Sequence, residues 1–203
     1  MDDGFAISFS GRIASGKTNI TETLARALGW TRTGFSDYLR VVMATKGIID
    51  PTREQLQDLG QSLVEADPDA FCRNVLANAG FVPGGNILLD GIRHVDVQRR
   101  VASIVKPSRA ILIHLAADDE VVARRVQERG ASEQEFRRAS GHPVEKDLYR
   151  SLPEEADFVI DTSAPLETVL LTCLSALNGA GVDGGIIKAA RSMLGNPAKE
   201  GDG

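Results

Sequence analysis

The sequence of 203 residues predicts an α/β fold in three layers, with a central parallel sheet of five strands and helices on both faces. Segments typical of buried strands alternate along the chain with segments of helical periodicity. Two strand segments, residues 86–90 and 110–115, are almost continuously apolar, which is typical of strands covered on both faces. We therefore predict one domain over residues 1–177 and a glycine-rich tail over residues 178–203.

The phosphate-binding motif lies after the first strand. Residues 10–18 contain G-x-x-x-x-G-K-[ST], the P-loop or Walker A pattern, preceded by a strand pattern and followed by helical periodicity. Its backbone N–H groups and the positive end of the next helix face a polyphosphate. The motif predicts Lys17 at the β- and γ-phosphates and the Thr18 hydroxyl on Mg²⁺. The predicted ATP-binding residues are Gly11, Ala14, Ser15, Gly16, Lys17, Thr18 and Asn19.

The middle of the chain predicts a helical insert over about residues 36–80. A short strand over residues 32–35 precedes it, and its first helix spans residues 38–46. A capping box at residues 52–55 opens the second helix, and Pro68 opens the third.

The second half of the chain continues the alternation. The strand at 110–115 is followed by a helix over residues 119–128, and a strand at 158–160 by an amphipathic helix over residues 166–177. We expect the tail to be a frayed appendage, although residues 186–194 could form a short helix.

Composition and charge limit the possible functions. A net charge of −5 argues against a nucleic-acid partner, because nucleic-acid-binding proteins usually present a basic face. A local anion site is nevertheless predicted by a cluster of arginines, namely Arg124, Arg125, Arg129, Arg137 and Arg138.

The apolar segments and the cysteines suggest an ordinary cytoplasmic protein. No signal-peptide pattern opens the sequence, and no apolar run approaches the roughly 20 residues that span a bilayer, so we expect no membrane partner. Cys72 and Cys173 lie in apolar helical patterns without metal-ligand spacing. We interpret both as small buried hydrophobic residues rather than redox groups.

Asp90 stands at the carboxyl end of a buried strand, where ligands gather in open parallel sheets. A carboxylate there can hold Mg²⁺ beside Thr18. The alternative is a helix N-cap, because Asp commonly begins the segment after a strand. Arg93 is expected to face the same cleft and to clamp a phosphate with two hydrogen bonds.

The P-loop together with Leu89-Asp90-Gly91-x-Arg93 resembles the P-loop small-molecule kinases, which include nucleoside monophosphate kinases and dephospho-coenzyme A kinase. Residues 119–129 resemble the helix that leads into the lid of these enzymes. The resemblance implies transfer of the γ-phosphoryl group of ATP, with Mg²⁺, and places Arg125 and Arg129 near the transferring group. Residues 155–162 resemble the stretch before the last helix of dephospho-coenzyme A kinases.

The chain departs from these families in two places. Ile92 replaces the aromatic residue of adenylate-kinase-like proteins, and their proline is missing. Residues 35–40 lack the Asp-rich segment of dephospho-coenzyme A kinases, and residues 52–79 more closely resemble phage-type deoxynucleoside monophosphate kinases.

A lid is predicted over residues 130–143, with a second capping box at residues 132–135. Such a lid closes over bound triphosphate, excludes water and brings arginines to the developing charge. The alternative is a surface helix that leaves Arg137 and Arg138 in solvent.

The acceptor is expected between the second strand and the two helices after it, at Ser36, Asp37 and Arg40. Asp37 could accept or orient the proton of an attacking hydroxyl, or it could be the N-cap of the helix that starts at Tyr38. Arg40 would pair with an anionic acceptor. The three histidines do not cluster, and we assign none of them a catalytic role.

The leading hypothesis is an ATP- and Mg²⁺-dependent kinase for a small nucleotide-like acceptor, first of all a nucleoside or deoxynucleoside monophosphate, with dephospho-coenzyme A as the alternative. A second hypothesis is a regulatory module that binds ATP without transfer. A GTPase is disfavoured because no guanine-reading Asn/Thr-Lys-x-Asp segment is present, and a motor ATPase by size. The sequence is compatible with both a monomer and a homodimer. Predicted roles are catalytic for Lys17, Asp37, Arg125 and Arg129, substrate-binding for Ser36, Asp37, Arg40 and Arg93, and metal-binding for Thr18 and Asp90.

Overall fold

The computed structural model describes residues 4–128, 130 and 133–195. Its five strands are β1 (Phe5–Gly11), β2 (Thr31–Gly34), β3 (Ile87–Ile92), β4 (Arg109–Ala116) and β5 (Phe158–Asp161). They form one sheet in the order β2-β3-β1-β4-β5, and every neighbouring pair is parallel. The predicted three-layer α/β fold with a five-stranded parallel sheet is therefore confirmed.

Helices cover both faces of this sheet. They are α1 (Lys17–Leu28), α2 (Phe35–Thr45), α3 (Arg53–Ala66), α4 (Pro68–Asn78), α5 (Val95–Ile104), α6 (Asp119–Glu128), α7 (Glu133–Ser140), α8 (Ser151–Glu155), α9 (Leu166–Gly179) and α10 (Gly184–Leu194). A 3₁₀ helix, Pro143–Tyr149, lies between α7 and α8.

The sheet separates two hydrophobic cores because successive side chains of a strand point to opposite faces. Ile7 and Phe9 of β1 face the core formed with α1, α9 and α10. Ala6 of the same strand faces the core formed with α2, α4 and α5. Burial on both sides explains why β3 and β4 are almost continuously apolar.

The start of α2 differs from the prediction. Residues 32–35 were expected to be a strand and residues 38–46 a helix, but β2 ends at Gly34 and α2 begins at Phe35. The Phe35 ring packs edge-on against that of Phe71 in α4, with ring centroids 5.4 Å apart. Phe35 is apolar because it is buried in this contact, and an apolar residue after Thr33 and Gly34 also fits the end of a strand.

The next two helices begin where their capping signals predict. The Thr52 hydroxyl accepts a hydrogen bond from the Gln55 backbone N–H, and the Gln55 side chain accepts one from the Thr52 N–H. The Asp67 side chain caps α4 by accepting from Ala70 N–H, with Pro68 in the first turn. The predicted second capping box involves Ser132, which lies outside the described residues.

The alternative expected for the tail, a short helix over residues 186–194, is confirmed and the frayed appendage is wrong there, since α10 spans Gly184–Leu194. The Asp183 side chain caps α10 by accepting from the N–H groups of Gly185 and Ile186, and α10 packs against α1 and α9. Ile187 and Ala190 are buried in the core that α1 and α9 share. The glycines thus mark a turn between two packed helices. Residues 196–203 lie outside the described part, and the boundary at residue 177 stays a prediction.

Both cysteines are buried, as expected of small hydrophobic residues. Burial raises the pKa of the Cys72 thiol to about 11 and that of Cys173 to about 12, so neither forms a thiolate at neutral pH. Within the described ranges, no helix is both long enough and apolar enough to cross a lipid bilayer.

Replacement of Ile187 by alanine tests the docking of α10. Ile187 is 4% exposed, so we expect Ile187→Ala to lower the free energy of unfolding by about 2–4 kcal/mol, measured by urea denaturation. Met193 lies on the same helix at 58% exposure, and Met193→Ala should change the free energy of unfolding by less than about 0.5 kcal/mol. Equal small effects of the two substitutions would mean that α10 does not contribute to the core.

Candidate active site

The P-loop connects β1 to α1 at the carboxyl edge of the sheet. Ala14 and Gly16 adopt positive φ angles of 63° and 87°, and α1 begins at the next residue, Lys17. The first N–H groups of α1 have no acceptor within the helix, so the positive end of α1 is open to an anion. The Lys17 ammonium group lies over the loop and donates to the Gly11 carbonyl at 2.5 Å and the Arg12 carbonyl at 2.8 Å.

Thr18 and Asp90, the two predicted metal ligands, lie in contact. The Thr18 hydroxyl donates a hydrogen bond of 3.0 Å to Asp90 Oδ2. The N-cap alternative for Asp90 is wrong, because Asp90 lies within β3 and His94 stands at the N-cap of α5. The carboxylate therefore meets the P-loop from the neighbouring strand.

A β-bulge follows Asp90. Phe9 of β1 pairs with Asp90, but Ser10 pairs with Ile92, so Gly91 is the extra residue in β3. Gly91 has a φ of 91°, a conformation that favours glycine. The bulge bends β3 next to the P-loop and gives a physical reason for the Asp-Gly pair.

Arg32 is the central residue that the sequence reasoning missed. Its guanidinium donates to Asp90 Oδ2 at 2.9 Å and to Asp37 Oδ2 at 3.0 Å. It also donates to Thr21 Oγ1 at 3.0 Å. Burial alone would lower the pKa of Arg32, but Asp90 and Asp37 outweigh it and raise that pKa. The sequence feature that could have identified Arg32 is a basic residue within a short strand that ends at the carboxyl edge of the sheet.

Asp37 lies in the first turn of α2, three residues after Gly34. The N-cap alternative is wrong, because the helix starts at Phe35 rather than Tyr38. A Cβ atom at Gly34 would lie 2.6 Å from Asp37 Oδ2, so glycine leaves the space that the carboxylate occupies beside Arg32.

A cavity of about 350 Å³ extends from the P-loop to α2, α3 and α4. Its walls contain Ser36, Asp37, Arg40 and Arg93, the four predicted substrate-binding residues. Two carboxylates and five cationic side chains line it; the cationic ones are Lys17, Arg32, Arg40, Arg53 and Arg93. The apolar part of the wall consists of Ile13, Ala14, Phe35, Leu39, Leu56, Val64, Phe71 and Val97. A compact anionic molecule therefore fits this cavity best.

Arg93 is engaged by a residue that the sequence reasoning did not foresee. It forms an ion pair with Glu145 of the 3₁₀ helix, and Glu145 is buried. Burial and the charge of Arg53 lower the pKa of Arg93 to about 10, which leaves it a cation at neutral pH. Arg53, also missed, is the first residue of α3.

The described part of the predicted lid contacts two elements near the cavity, α6 with the P-loop and α3. Phe136 of α7 packs against the small cluster formed by Ala14 of the P-loop with Val122 and Val126 of α6. Gln57 Nε2 of α3 donates to the Ala139 carbonyl at 2.9 Å. Contacts continue beyond the predicted end at residue 143, since the Tyr149 ring lies 5.0 Å from the Arg12 guanidinium. We call residues 133–149 the lid segment. Its Arg137 and Arg138 side chains are exposed.

Arg125 lies at the outer side of the P-loop. Its guanidinium donates to the Thr162 carbonyl at 2.7 Å and the Ala14 carbonyl at 3.3 Å, and it does not line the cavity. Arg129 lies outside the described residues. Asn19 is exposed in the first turn of α1. Catalytic roles for the two arginines and a nucleotide contact for Asn19 stay predictions.

The oxygen ligands at the P-loop suit Mg²⁺ rather than a tightly caged metal. Thr18 and Asp90 offer a hydroxyl and a carboxylate, which are hard donors. Among residues 4–128, 130 and 133–195, no group of three or more His, Cys, Asp or Glu side chains could hold a metal ion. The pair therefore fits an ion that takes its other ligands from water and phosphates.

His114 lies beneath the P-loop in β4. Its Nδ1 is 2.9 Å from the Ser10 hydroxyl, and both residues are buried. Burial, with the charge of Lys17 as a second cause, lowers the pKa of His114 to about 4. The imidazole is therefore neutral at physiological pH and serves as a structural hydrogen-bonding group.

Comparison with protein families identifies a family model that matches most of the chain. A family model described as an AAA domain matches residues 7–145, which is more than half of the chain. Comparison with curated proteins by sequence finds no match.

Solved structures of small-molecule kinases share the fold. A shikimate kinase from Acinetobacter baumannii, in complex with shikimate, is 14% identical, with a TM-score of 0.59 over 89% of this chain and 96% of that one. A shikimate kinase from Aquifex aeolicus is 18% identical, with a TM-score of 0.53 over 89% and 100% of the two chains. A gluconokinase from Sinorhizobium meliloti is 15% identical, with a TM-score of 0.53 over 89% and 95%. At these identities the likeness establishes the fold alone.

The neutral state of His114 predicts a pH dependence of stability. Between pH 6.5 and pH 4 the unfolded chain binds a proton on His114 that the folded protein excludes, so stability falls as the pH falls. From pH 7 to pH 5 the wild type should lose about 2 kcal/mol more than His114→Asn, measured by urea denaturation at each pH. Parallel losses in the two proteins would contradict a neutral buried imidazole.

Proposed function

Because the chain belongs to the AAA domain family and has the fold of P-loop small-molecule kinases, we propose that it transfers the γ-phosphoryl group of ATP to a small anionic acceptor. The observation that supports this most directly is the continuity of the cavity. Its walls include Lys17 and Thr18 of the P-loop as well as Arg40 of α2 and Arg53 of α3. Donor phosphates and an acceptor can therefore meet in one space.

The charges of the cavity favour an acceptor with a phosphate or carboxylate group. Five cationic side chains outnumber the two carboxylates, and two of them, Arg40 and Arg53, belong to α2 and α3 rather than to the P-loop. A nucleoside monophosphate satisfies this pattern, and so do small hydroxy acids such as gluconate or shikimate, which is bound in one of the structural neighbours. A volume of about 350 Å³ lies near the lower end of the range for small-molecule sites and disfavours the much larger dephospho-coenzyme A.

The side chains divide the work of transfer between them. Lys17 and the positive end of α1 neutralise the phosphate oxygens, and Arg125 fixes the outer side of the P-loop. An acceptor oxygen attacks the γ-phosphorus while the bond to the bridging oxygen of ADP breaks. If that oxygen belongs to a hydroxyl, Asp37 accepts its proton, and Arg32 holds the Asp37 carboxylate in place. Thr18 and Asp90 would hold Mg²⁺, which would supply neutralisation of the phosphate charge.

The lid segment excludes water from this reaction. It packs through Phe136 on the cluster that Ala14 of the P-loop shares with α6, and it contacts α3 through Ala139, so it is placed next to the space where donor and acceptor would meet. Water that reached the γ-phosphoryl group would hydrolyse ATP without phosphorylating the acceptor. Arg129 is proposed to join Lys17 at the transferring group, as in the kinases that the sequence resembles.

A regulatory module that only binds ATP is the second candidate function. It needs the P-loop but not a cavity lined by Arg40, Arg53 and Arg93 next to that loop. The acceptor side of the cavity therefore favours transfer.

Radiolabelled ATP tests the proposal. Wild-type protein with γ-³²P-ATP and Mg²⁺ should move the label onto at least one member of a panel of ribo- and deoxynucleoside monophosphates, shikimate, gluconate and dephospho-coenzyme A. Lys17→Ala should lower the transfer rate at least about 100-fold, because Lys17 stabilises transferring charge. Lys188 is an exposed lysine on α10, and Lys188→Ala should transfer normally.

Label found only on inorganic phosphate would contradict transfer to an acceptor. Tight ATP binding with no label released from ATP would favour the regulatory module.

A further inference from the structure

Gln57 of α3 is a buried amide whose orientation is fixed by the lid segment. Its Nε2 donates to the Ala139 carbonyl at 2.9 Å and to Glu145 Oε1 at 2.9 Å. A carbonyl and a carboxylate can only accept, so the nitrogen must face them and the amide oxygen must face away. Gln57 lines the cavity, and its Oε1 is buried without a hydrogen-bond partner among the described residues.

His94 presents a second polar atom of the same kind. It stands between β3 and α5, next to Arg93, and lines the same cavity. Its Nε2 is buried and has no hydrogen-bond partner in the part of the chain that the structure describes. Its Nδ1 lies 3.9 Å from Asp147 Oδ2. Burial lowers the pKa of His94, against the opposing influence of Asp147, so the ring is neutral at physiological pH.

Two residues that line one cavity each carry a buried polar atom without a partner among the described residues, which points to a ligand. Buried hydrogen-bonding groups are nearly always paired in folded proteins, because an unpaired one keeps the full cost of leaving water. Gln57 and His94, the residues that carry the unpaired atoms, line the cavity together with Arg53 and Arg93. A molecule bound through its negative group to these arginines brings its remaining polar groups near the two atoms.

We propose that Gln57 Oε1 and His94 Nε2 form a hydrogen-bonding subsite that reads a hydroxyl or amino group of the anionic acceptor. This inference rests on the proposed function and names the chemical class of its acceptor. Gln57 Oε1 can only accept, so the acceptor must present an O–H or N–H group there. A hydroxyl also satisfies either tautomer of His94, because it both donates and accepts. Hydroxylated anions therefore match the site better than anions that lack such groups.

The lid segment and the subsite depend on each other. Ala139 and Glu145 hold the Gln57 nitrogen, and this leaves the oxygen for the acceptor. If the lid segment moves away, the amide can turn and the subsite is lost. Recognition of the acceptor is thereby coupled to closure.

The experiment compares matched anions with and without hydroxyl groups, in the absence of ATP. The pairs are shikimate with cyclohexanecarboxylate, gluconate with hexanoate, and ribose 5-phosphate with methyl phosphate, each titrated by calorimetry. For at least one pair, wild-type protein should bind the hydroxylated member about tenfold more tightly. Gln57→Leu and His94→Leu should each reduce this preference to about twofold or less.

Gln61→Leu is the matched control. Gln61 lies one turn further along α3, where its side chain donates to Glu65 rather than lining the cavity, so its loss should leave the preference intact. A merely structural effect of the other two substitutions would weaken both members of a pair equally and leave the ratio unchanged, which would overturn the inference. So would a wild type without preference for any hydroxylated member.

The outcome is separable from that of the phosphoryl-transfer assay. A preference that depends on Gln57 and His94, without any transfer of label from ATP, would support the subsite and contradict the proposed kinase activity. Transfer of label without such a preference would support the proposed kinase activity and contradict the proposed subsite.

Discussion

The carboxylate of Asp90 joins the two halves of the cavity, and the rest of the site depends on it. Thr18 of the P-loop donates to its Oδ2 from one side, and Arg32 of β2 binds the same oxygen from the other. Arg32 in turn holds Asp37 at the start of α2. Since the Asp90 side chain is only 8% exposed, its charge requires these partners. One buried acid thus fixes where the acceptor-side helix begins relative to the phosphate-binding loop.

Beyond this bridge, the cavity concentrates positive charge on a protein whose net charge is −5. Lys17 is held by loop carbonyls, and Arg93 is balanced by the buried Glu145 of the lid segment. The lid segment therefore brings a carboxylate to an arginine that also lines the acceptor space. A negative acceptor group enters surroundings in which arginines are already ordered, which reduces the entropy lost on binding.

The sequence was sufficient for the sheet, the P-loop and the position of Asp90, because apolar runs and glycine spacing are local signals. It was insufficient for Arg32, Arg53 and Gln57, whose roles come from contacts between elements distant in the chain. Arg32 meets Asp90 only because β2 and β3 are neighbours, with Gly34 beside Asp90 in the register. Burial of Ile187 in α10 similarly depends on docking against α1, which the surrounding glycines conceal.

A double-mutant cycle on Arg32 and Asp90 tests the bridge most directly. The free energy of unfolding is measured in urea for the wild type, Arg32→Leu, Asp90→Asn and the double variant. If the buried pair joins the two halves, the losses of the two single variants should not be additive. The double variant should lose about 2 kcal/mol less than the sum of the two single losses. Additivity within about 0.5 kcal/mol would contradict the account, because it would mean that the two side chains contribute to the fold independently.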